Sequence, residues 1–345
     1  MTWRALREVG RRLRAHWLLV LGLGALGGLV VAVDPARLVR ALADADRGLL
    51  ALMLPCVLAH YVFRSLAWRV GLRRIGVRVG VVRAAVLTLA AQSLVFLPGG
   101  DLWRVPVLTR MEGSRRDQGE LASTVVFDDL VFWLLLTLAL IPALLGTPEL
   151  GMVVVGILLG EAAIVALLLW PAGYAFAVEV AGRVPAVRHL RPQLRQLGPA
   201  FRRLANPRTL AATALLDAVA ALLAFGLFRL ALMAVHVREV DFVEAAFVYA
   251  LGHLFAGLSM LPAGLGVYEG TLTGLLVLQG VDPASAAAAA LLYRGFNDLL
   301  MGMAGLPVVM VLDRARPGSS RPGVGREAAR EVRPAADGGR GRTVP

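Results

Sequence analysis

Six apolar runs, each close to the twenty or so residues with which a helix crosses about 30 Å of hydrocarbon, constrain this chain more than any other feature. They cover roughly 17–33, 49–70, 121–145, 150–175, 209–235 and 284–312. Two more apolar stretches, 81–97 and 243–261, are soon interrupted by Pro and Gly. A soluble core can absorb many apolar residues, but it cannot hide repeated runs of this length. Composition agrees: 58% of the 345 residues are hydrophobic, against roughly 45–50% in an ordinary globular domain, and mean hydropathy is +0.70. Leu and Ala dominate the runs without strand-like alternation, so helices are expected rather than a barrel. The expected class is an all-α polytopic membrane protein.

The formal charge is +12, and every basic residue is arginine. These arginines sit in short loops beside apolar runs, the placement of the positive-inside rule, so nucleic acid is not an expected partner. The lone Cys56 excludes an internal disulfide and any Cys-based zinc cluster. His60 and His253 lack a paired ligand spacing, so they read as packed or hydrogen-bonded histidines and no metal or other cofactor is expected. Arginines at 4, 7, 11, 12 and 14 precede an apolar stretch, as in a signal peptide. That stretch is long for an h-region and ends at Val33-Asp34-Pro35 without an A-x-A site. An uncleaved first helix in the bacterial cytoplasmic (inner) membrane is expected.

The chain is written twice. Phe127-Asp128-Asp129-Leu130 recurs as Phe296-Asn297-Asp298-Leu299, at an offset of 169. Leu97-Pro98-Gly99-Gly100 recurs as Leu261-Pro262-Ala263-Gly264 at 164, and Phe63-Arg64 as Phe228-Arg229 and Ile141-Pro142 as Leu306-Pro307 at 165. Each match alone is weak, but four in one order with nearly constant offset argue for duplication. The halves are roughly 1–148 and 149–313, followed by an Arg-, Gly- and Pro-rich tail, 314–345, that reads as disordered and cytoplasmic.

Loop charge sets the orientation. The basic N-terminal arm is inside, the balanced 34–48 loop outside, and the 69–83 loop, with five arginines and no acid, inside. Residues 104–120 again carry four arginines, which suits a cytoplasmic loop if 81–97 dips in and turns back at Pro98-Gly99-Gly100. Then 176–208, with seven arginines and one Glu, is inside, and 243–280 re-enters from outside around Pro262, Gly264 and Gly266. The result is two inverted-topology repeats with about six spans and two re-entrant hairpins, both termini cytoplasmic. Eight full spans is the alternative and fits the 104–120 charge worse. Paired Pro/Gly-interrupted segments in inverted halves point to a transporter substrate site. Outside the hairpins, 35–49 has the spacing of an interfacial helix. Residues 186–205 form a basic amphipathic stretch expected to be broken by Pro192 and Pro199.

Arg64-x-x-x-Trp68-Arg69, Leu97 to Arg104 (Leu-Pro-Gly-Gly-Asp-Leu-Trp-Arg), Leu261 to Glu269 (Leu-Pro-Ala-Gly-Leu-Gly-Val-Tyr-Glu) and Arg294 carry a resemblance. They are similar to the flippase-like integral membrane family that includes the N-terminal membrane domain of lysylphosphatidylglycerol synthases, over about 15–312. The resemblance implies movement of an aminoacylated phospholipid, or a lipid-linked sugar, between leaflets. The first motif usually has Glu where this chain has Asp101. No soluble aminoacyl-transferase domain follows residue 313, so lysyl-lipid synthesis by this chain alone is not expected.

Ionisable groups at membrane depth cost about 2.5–3.5 kcal/mol each on insertion scales, so they are candidate site residues. Arg104 is placed to meet a lipid phosphate, and Asp101 and Glu269 a cationic headgroup or a proton, beside the turns at Pro98, Gly99, Gly100, Pro262, Gly264 and Gly266. The bland alternative is an Asp101–Arg104 pair capping a helix. Arg64 and Arg69 join the substrate set or, with Trp68, anchor a helix end. Asp128, Asp129, Arg294, Asn297 and Asp298 form a gating or proton-relay set, with Asp129, Asp298 and Arg294 expected to meet. Gln92 and Ser93 are expected to satisfy carbonyls freed at the first turn. Glu161, Asp217 and Arg229 are intramembrane by position without an assigned role. No Walker A motif is present, so the expected activity is a lipid flippase or translocase, passive or driven by an ion gradient. Its partners are membrane lipids, anionic or lipid-linked, and a separate lipid-modifying enzyme that the basic 176–208 loop could dock. A membrane glycosyl- or lipid-modifying transferase, or a non-catalytic partner of a synthase, are the rival readings.

Overall fold

The computed structural model describes residues 3–95, 100–112, 117–141, 148–185 and 188–314, and these are helical with no strand among them. The first turn (Leu97, Pro98, Gly99) and the tail from 315 lie outside the described residues. The chain opens with α1 (Trp3–Ala32), α2 (Pro35–Ala43), α3 (Arg47–Arg74) and α4 (Val81–Gln92). A 3-10 turn (Gly100–Trp103) leads into α5 (Arg104–Glu112), then α6 (Gln118–Ala139), α7 (Pro148–Leu169) and α8 (Pro171–Ala181). Next come a short 3-10 turn (Arg188–Leu190), α9 (Arg191–Leu204), α10 (Pro207–Ala234), α11 (Phe242–Leu258), the second Pro/Gly turn, also 3-10 (Pro262–Gly264), and α12 (Val267–Leu278). The last stretch is α13 (Pro283–Arg294), a π-helical turn (Gly295–Leu300) and α14 (Met301–Arg314).

Four helices among the described residues are long and apolar enough to cross a membrane: α3, α6, Gly151–Leu169 of α7, and α10. The pair Leu19–Ala32 and Pro35–Ala43, bent by 87°, makes a fifth if taken as one span. The chain is a multi-pass helical membrane protein. Two expected runs are divided. The 150–175 run breaks at Trp170, because Pro171 cannot continue the hydrogen-bond ladder and instead starts α8. The 284–312 run is split by the π turn into pieces of 12, 6 and 14 residues. The turn holds Asn297 and Asp298, so the irregularity coincides with its polar residues.

Between the long helices lie short ones. α4 has 12 residues and α11 has 17, about 18 and 26 Å at 1.5 Å per residue, short of the ~30 Å core. Each is followed by a 3-10 turn and a second short helix, α5 or α12. The order long helix, short helix, 3-10 turn, short helix, long helical stretch therefore occurs twice, from α3 to α6 and from α10 to α14.

α3 and α10 form the most extensive helix pair, burying Met53, Val57, Ala220, Ala224, Leu227 and Phe228. α4 packs against α14, where Gly305 brings the backbones together at the Leu89 carbonyl, and α11 packs against α6, where Gly257 lies under Trp133. The expected interfacial helix is α2, which ends at Ala43; Leu49 belongs to α3, whose first turn Asp46 caps by accepting from Gly48 and Leu49 amides. One expectation is corrected: Pro192 and Pro199 do not break the amphipathic stretch. α9 runs through both, since Pro192 occupies the first turn, where an amide has no helical partner. Its buried Phe201 and Leu204 pack on α6, which holds the helix together at Pro199.

Candidate functional site

Three buried arginines organise the interior. Arg64 of α3 places Nη1 2.7 Å from Asp217 Oδ1 of α10, and Nη2 2.9 Å from Asp129 Oδ1 and 3.3 Å from Asp128 Oδ2 of α6. Its guanidinium also lies 4.3 Å from the centre of the Phe132 ring. Arg104, the first residue of α5, reaches Asp128 Oδ2 at 3.0 Å and Asp101 Oδ1 at 2.9 Å. Asp128 is thus shared, and in this cluster two arginines face four aspartates.

The second cluster surrounds Arg294 at the end of α13. Its Nε lies 2.8 Å from Asp298 Oδ2 and 3.2 Å from Glu269 Oε1, while Nη2 donates to the Ala263 carbonyl at 2.6 Å. Ala263 takes φ 51°, a left-handed conformation that a non-glycine residue adopts only when held; the Arg294 bond holds it. Glu269 is almost fully buried and accepts from the Gly266 amide at 2.7 Å, closing the first turn of α12. Asp298 Oδ1 accepts from Gln92 Nε2 at 3.1 Å and Asn297 Nδ2 at 2.9 Å, and Tyr61 Oη donates to the Asn297 carbonyl at 3.0 Å.

The two clusters are related with charge exchanged. In the first, the short helix after the turn carries the arginine (Arg104) and α6 the acid (Asp128). In the second, the short helix carries the acid (Glu269) and the following helix the arginine (Arg294). Either way, an ion pair ties each turn to the next long stretch, where lipid could not satisfy bare backbone.

A cavity of about 120 Å³ is lined by Arg64, Asp101, Arg104 and Asp129 together with Gln92 and Asp298. A chamber of about 200 Å³ adjoins it, lined by Arg294, Ala263, Gly264 and the rings of Tyr268 and Tyr293. Both share Val95, Trp133, His253, Asn297 and Asp298 as walls. Asp101 and Asp129 are the most open acids, with side chains 37% and 29% exposed.

Most sequence-nominated residues therefore fall into two neighbouring clusters. Arg69 does not: its Nε donates to the Val79 carbonyl at 2.6 Å, and it lines a separate pocket with Arg73 and Arg78. Pro98 and Gly99 lie outside the described residues, Gly100 begins the 3-10 turn, and Pro262 is buried at the start of the second turn. Arg294 and Asp298 pair as expected, whereas Asp129 pairs with Arg64 and shares only the cavity wall with Asp298. Ser93 satisfies the Ala90 carbonyl, but Gln92 reaches across to Asp298 instead. His60 Nδ1 lies 2.9 Å from the Ala220 carbonyl, and His253 stacks on Tyr249. Asp217 had no assigned role and is a fully buried partner of Arg64; an acid in an apolar run opposite another run's arginine was its available signal.

Chemically, both Nη atoms of Arg104 are engaged by carboxylates, and the acids outnumber the arginines. Such a wall favours a cation or a proton over a phosphate. Comparison with individually curated proteins gave no match. The family model described as the lysylphosphatidylglycerol synthase TM region matches residues 17–305, a range that holds both ion-pair clusters and the turns at Gly100–Trp103 and Pro262–Gly264, and the chain belongs to that family.

Proposed function

We propose that this chain is a lipid flippase that moves a phospholipid bearing a cationic, aminoacylated headgroup between leaflets of the bacterial inner membrane. The observation that carries the reading is the pair of open carboxylates at the cavity: Asp101 and Asp129 line the space with Asp298, while the Nη atoms of Arg64 and Arg104 beside them are already held by acids. An ammonium headgroup pairs with these open carboxylates, and the neighbouring rings of Trp133, Tyr268 and Tyr293 suit a cation as well. The family membership supports a role in membrane lipid chemistry.

In this reading the two runs of elements, α3–α6 and α10–α14, are inverted repeats, and α4–α5 and α11–α12 are re-entrant hairpins entering from the cytoplasmic and outer sides. The short lengths of α4 and α11 and the loop arginines support that arrangement. Alternating access then amounts to rocking one hairpin at a time around a fixed cavity, with the headgroup between the halves and the acyl chains in lipid. The arginines hold the hairpins and the acids receive the headgroup or a coupling proton. Leaflet-resolved movement of labelled lysyl-phosphatidylglycerol, phosphatidylglycerol and a polyprenyl-phosphate sugar by purified protein in liposomes tests it. Movement of the lysyl lipid above protein-free liposomes is expected; movement of the sugar lipid alone would replace the substrate class, and movement of none would overturn the reading.

A further inference from the structure

A further cavity opens on the other face of α6, away from both ion-pair clusters. It measures about 700 Å³, within the ~300–1,000 Å³ usual for small-molecule sites. Its walls are apolar side chains of α6 and α7, with Phe201 of α9 and Leu210 of α10 at one end. Along α7 the lining runs from Val155 to Leu169, about 21 Å of helix, more than one leaflet's ~15 Å share of the hydrocarbon core. Leu134 and Leu159 on its rim are 40% and 66% exposed, so the medium outside the slot is lipid.

One ionisable group lines this slot. Glu161 is 7% exposed, and its Oε1 accepts from Thr137 Oγ1 at 2.8 Å. Among the described residues its Oε2 is buried with no hydrogen-bond partner, and no arginine lines the cavity. A buried polar group with half its bonds unmade is costly, and an apolar residue would have closed the wall at less cost. A guanidinium lies beside the lining residues at one end: Arg202, next to Phe201 on α9, donates through Nη1 to the carbonyl of Leu168, the neighbour of Leu169. From Leu168 to Glu161 is seven residues of α7, about 10 Å.

We propose that this slot binds one glycerophospholipid of the bilayer, its phosphate at Arg202, its ester carbonyl at Glu161 and one acyl chain along α7. In this proposal the Glu161 carboxyl is protonated and donates a hydrogen bond from its free oxygen to the ester carbonyl, which has only lone pairs to offer. Arg202 supplies the charge that the phosphate needs, and the apolar wall takes the chain.

Photo-crosslinking of the full chain in liposomes tests this, with phosphatidylglycerol carrying a diazirine in one acyl chain and, in a parallel arm, a free fatty acid with the same label. Adducts from the phospholipid are expected on residues 127–134 and 155–169. Glu161→Leu is expected to lower their yield about five-fold, the worth of one hydrogen bond, while Glu161→Gln, which keeps a donor, retains most of it. Arg202→Gln lowers the phospholipid arm alone, and Leu158→Trp fills the slot and removes both. Adducts spread evenly over the lipid-facing helices, labelling by the fatty acid only, or yields unchanged in Glu161→Leu and Leu158→Trp would overturn the proposal. Thermal unfolding checks each variant, and Val155→Trp blocks the other end if Leu158→Trp does not fold. Because adduct position is read rather than transport, the outcome does not depend on flippase activity.

Discussion

Arg64 of α3 and Asp217 of α10 lie 2.7 Å apart in a buried ion pair that ties the two central helices together at membrane depth. Arg64 also compensates Asp129 and shares Asp128 with Arg104, so its loss strands Asp217 and Asp129 and leaves Asp128 to Arg104 alone. Arg64→Gln is expected to destabilise the protein by about 3–5 kcal/mol, the usual effect of removing one side of a buried pair. Asp217→Asn leaves Arg64 two carboxylates and should cost less, about 1.5–3 kcal/mol. Thermal unfolding in detergent ranks the two; equal losses would contradict a shared cation.

The open acids should separate transport from folding. Asp101→Asn and Asp129→Asn alter partly exposed side chains on the cavity wall, and a loss of lysyl-lipid movement of about ten-fold or more with normal folding is expected. Glu269→Gln should behave differently, because Glu269 is buried and holds both Arg294 and the Gly266 amide. Reduced yield of folded protein, read by size-exclusion chromatography, is expected there alongside lost transport.

The second turn offers a paired backbone test. Gly266 has φ +79°, and a Cβ there would come 2.8 Å from the Gly22 carbonyl of α1. Gly266→Ala adds left-handed strain and overlap, about 2–5 kcal/mol together. Ala263→Gly removes left-handed strain at φ 51° and should stabilise by about 1 kcal/mol. Opposite shifts in unfolding temperature are expected.

Much of this was legible in sequence, for physical reasons. Runs near twenty apolar residues announce helices across a bilayer, and Pro262 with Gly264 and Gly266 announces the interruption that the second turn shows. The break at Trp170-Pro171 was not legible in the 150–175 run, because proline alone does not place a break: Pro55, Pro199 and Pro307 lie inside continuous helices. Nor was the π turn at Gly295–Leu300: no residue type demands it, and the ion pair of Arg294 with Asp298 and the Gln92 bond become visible only in three dimensions. The site divides likewise. Charges inside apolar runs nominate themselves, but spacing along one helix fixes only the face. It cannot say that Arg64 meets Asp217 across two helices, or that Arg104 is already held by two acids.

Asp46 gives a pH test outside the membrane. The Leu49 and Gly48 amides hold its carboxyl below the usual carboxylate range. A lowered folded value means that the stabilisation is present above the unfolded pKa, about 3.9, and lost as pH falls through the folded value. Asp46→Ala should therefore lower the unfolding temperature at pH 7, and the gap to wild type should shrink well below pH 4.

The most direct measurement of the central claim is a rate ratio: lysyl-phosphatidylglycerol against phosphatidylglycerol, translocated in the same liposomes by wild type and by Asp129→Asn. An acidic cavity that receives a cationic headgroup predicts a wild-type ratio well above one that collapses toward one in the variant. A ratio near one in wild type, or the same high ratio in folded Asp129→Asn, would contradict it.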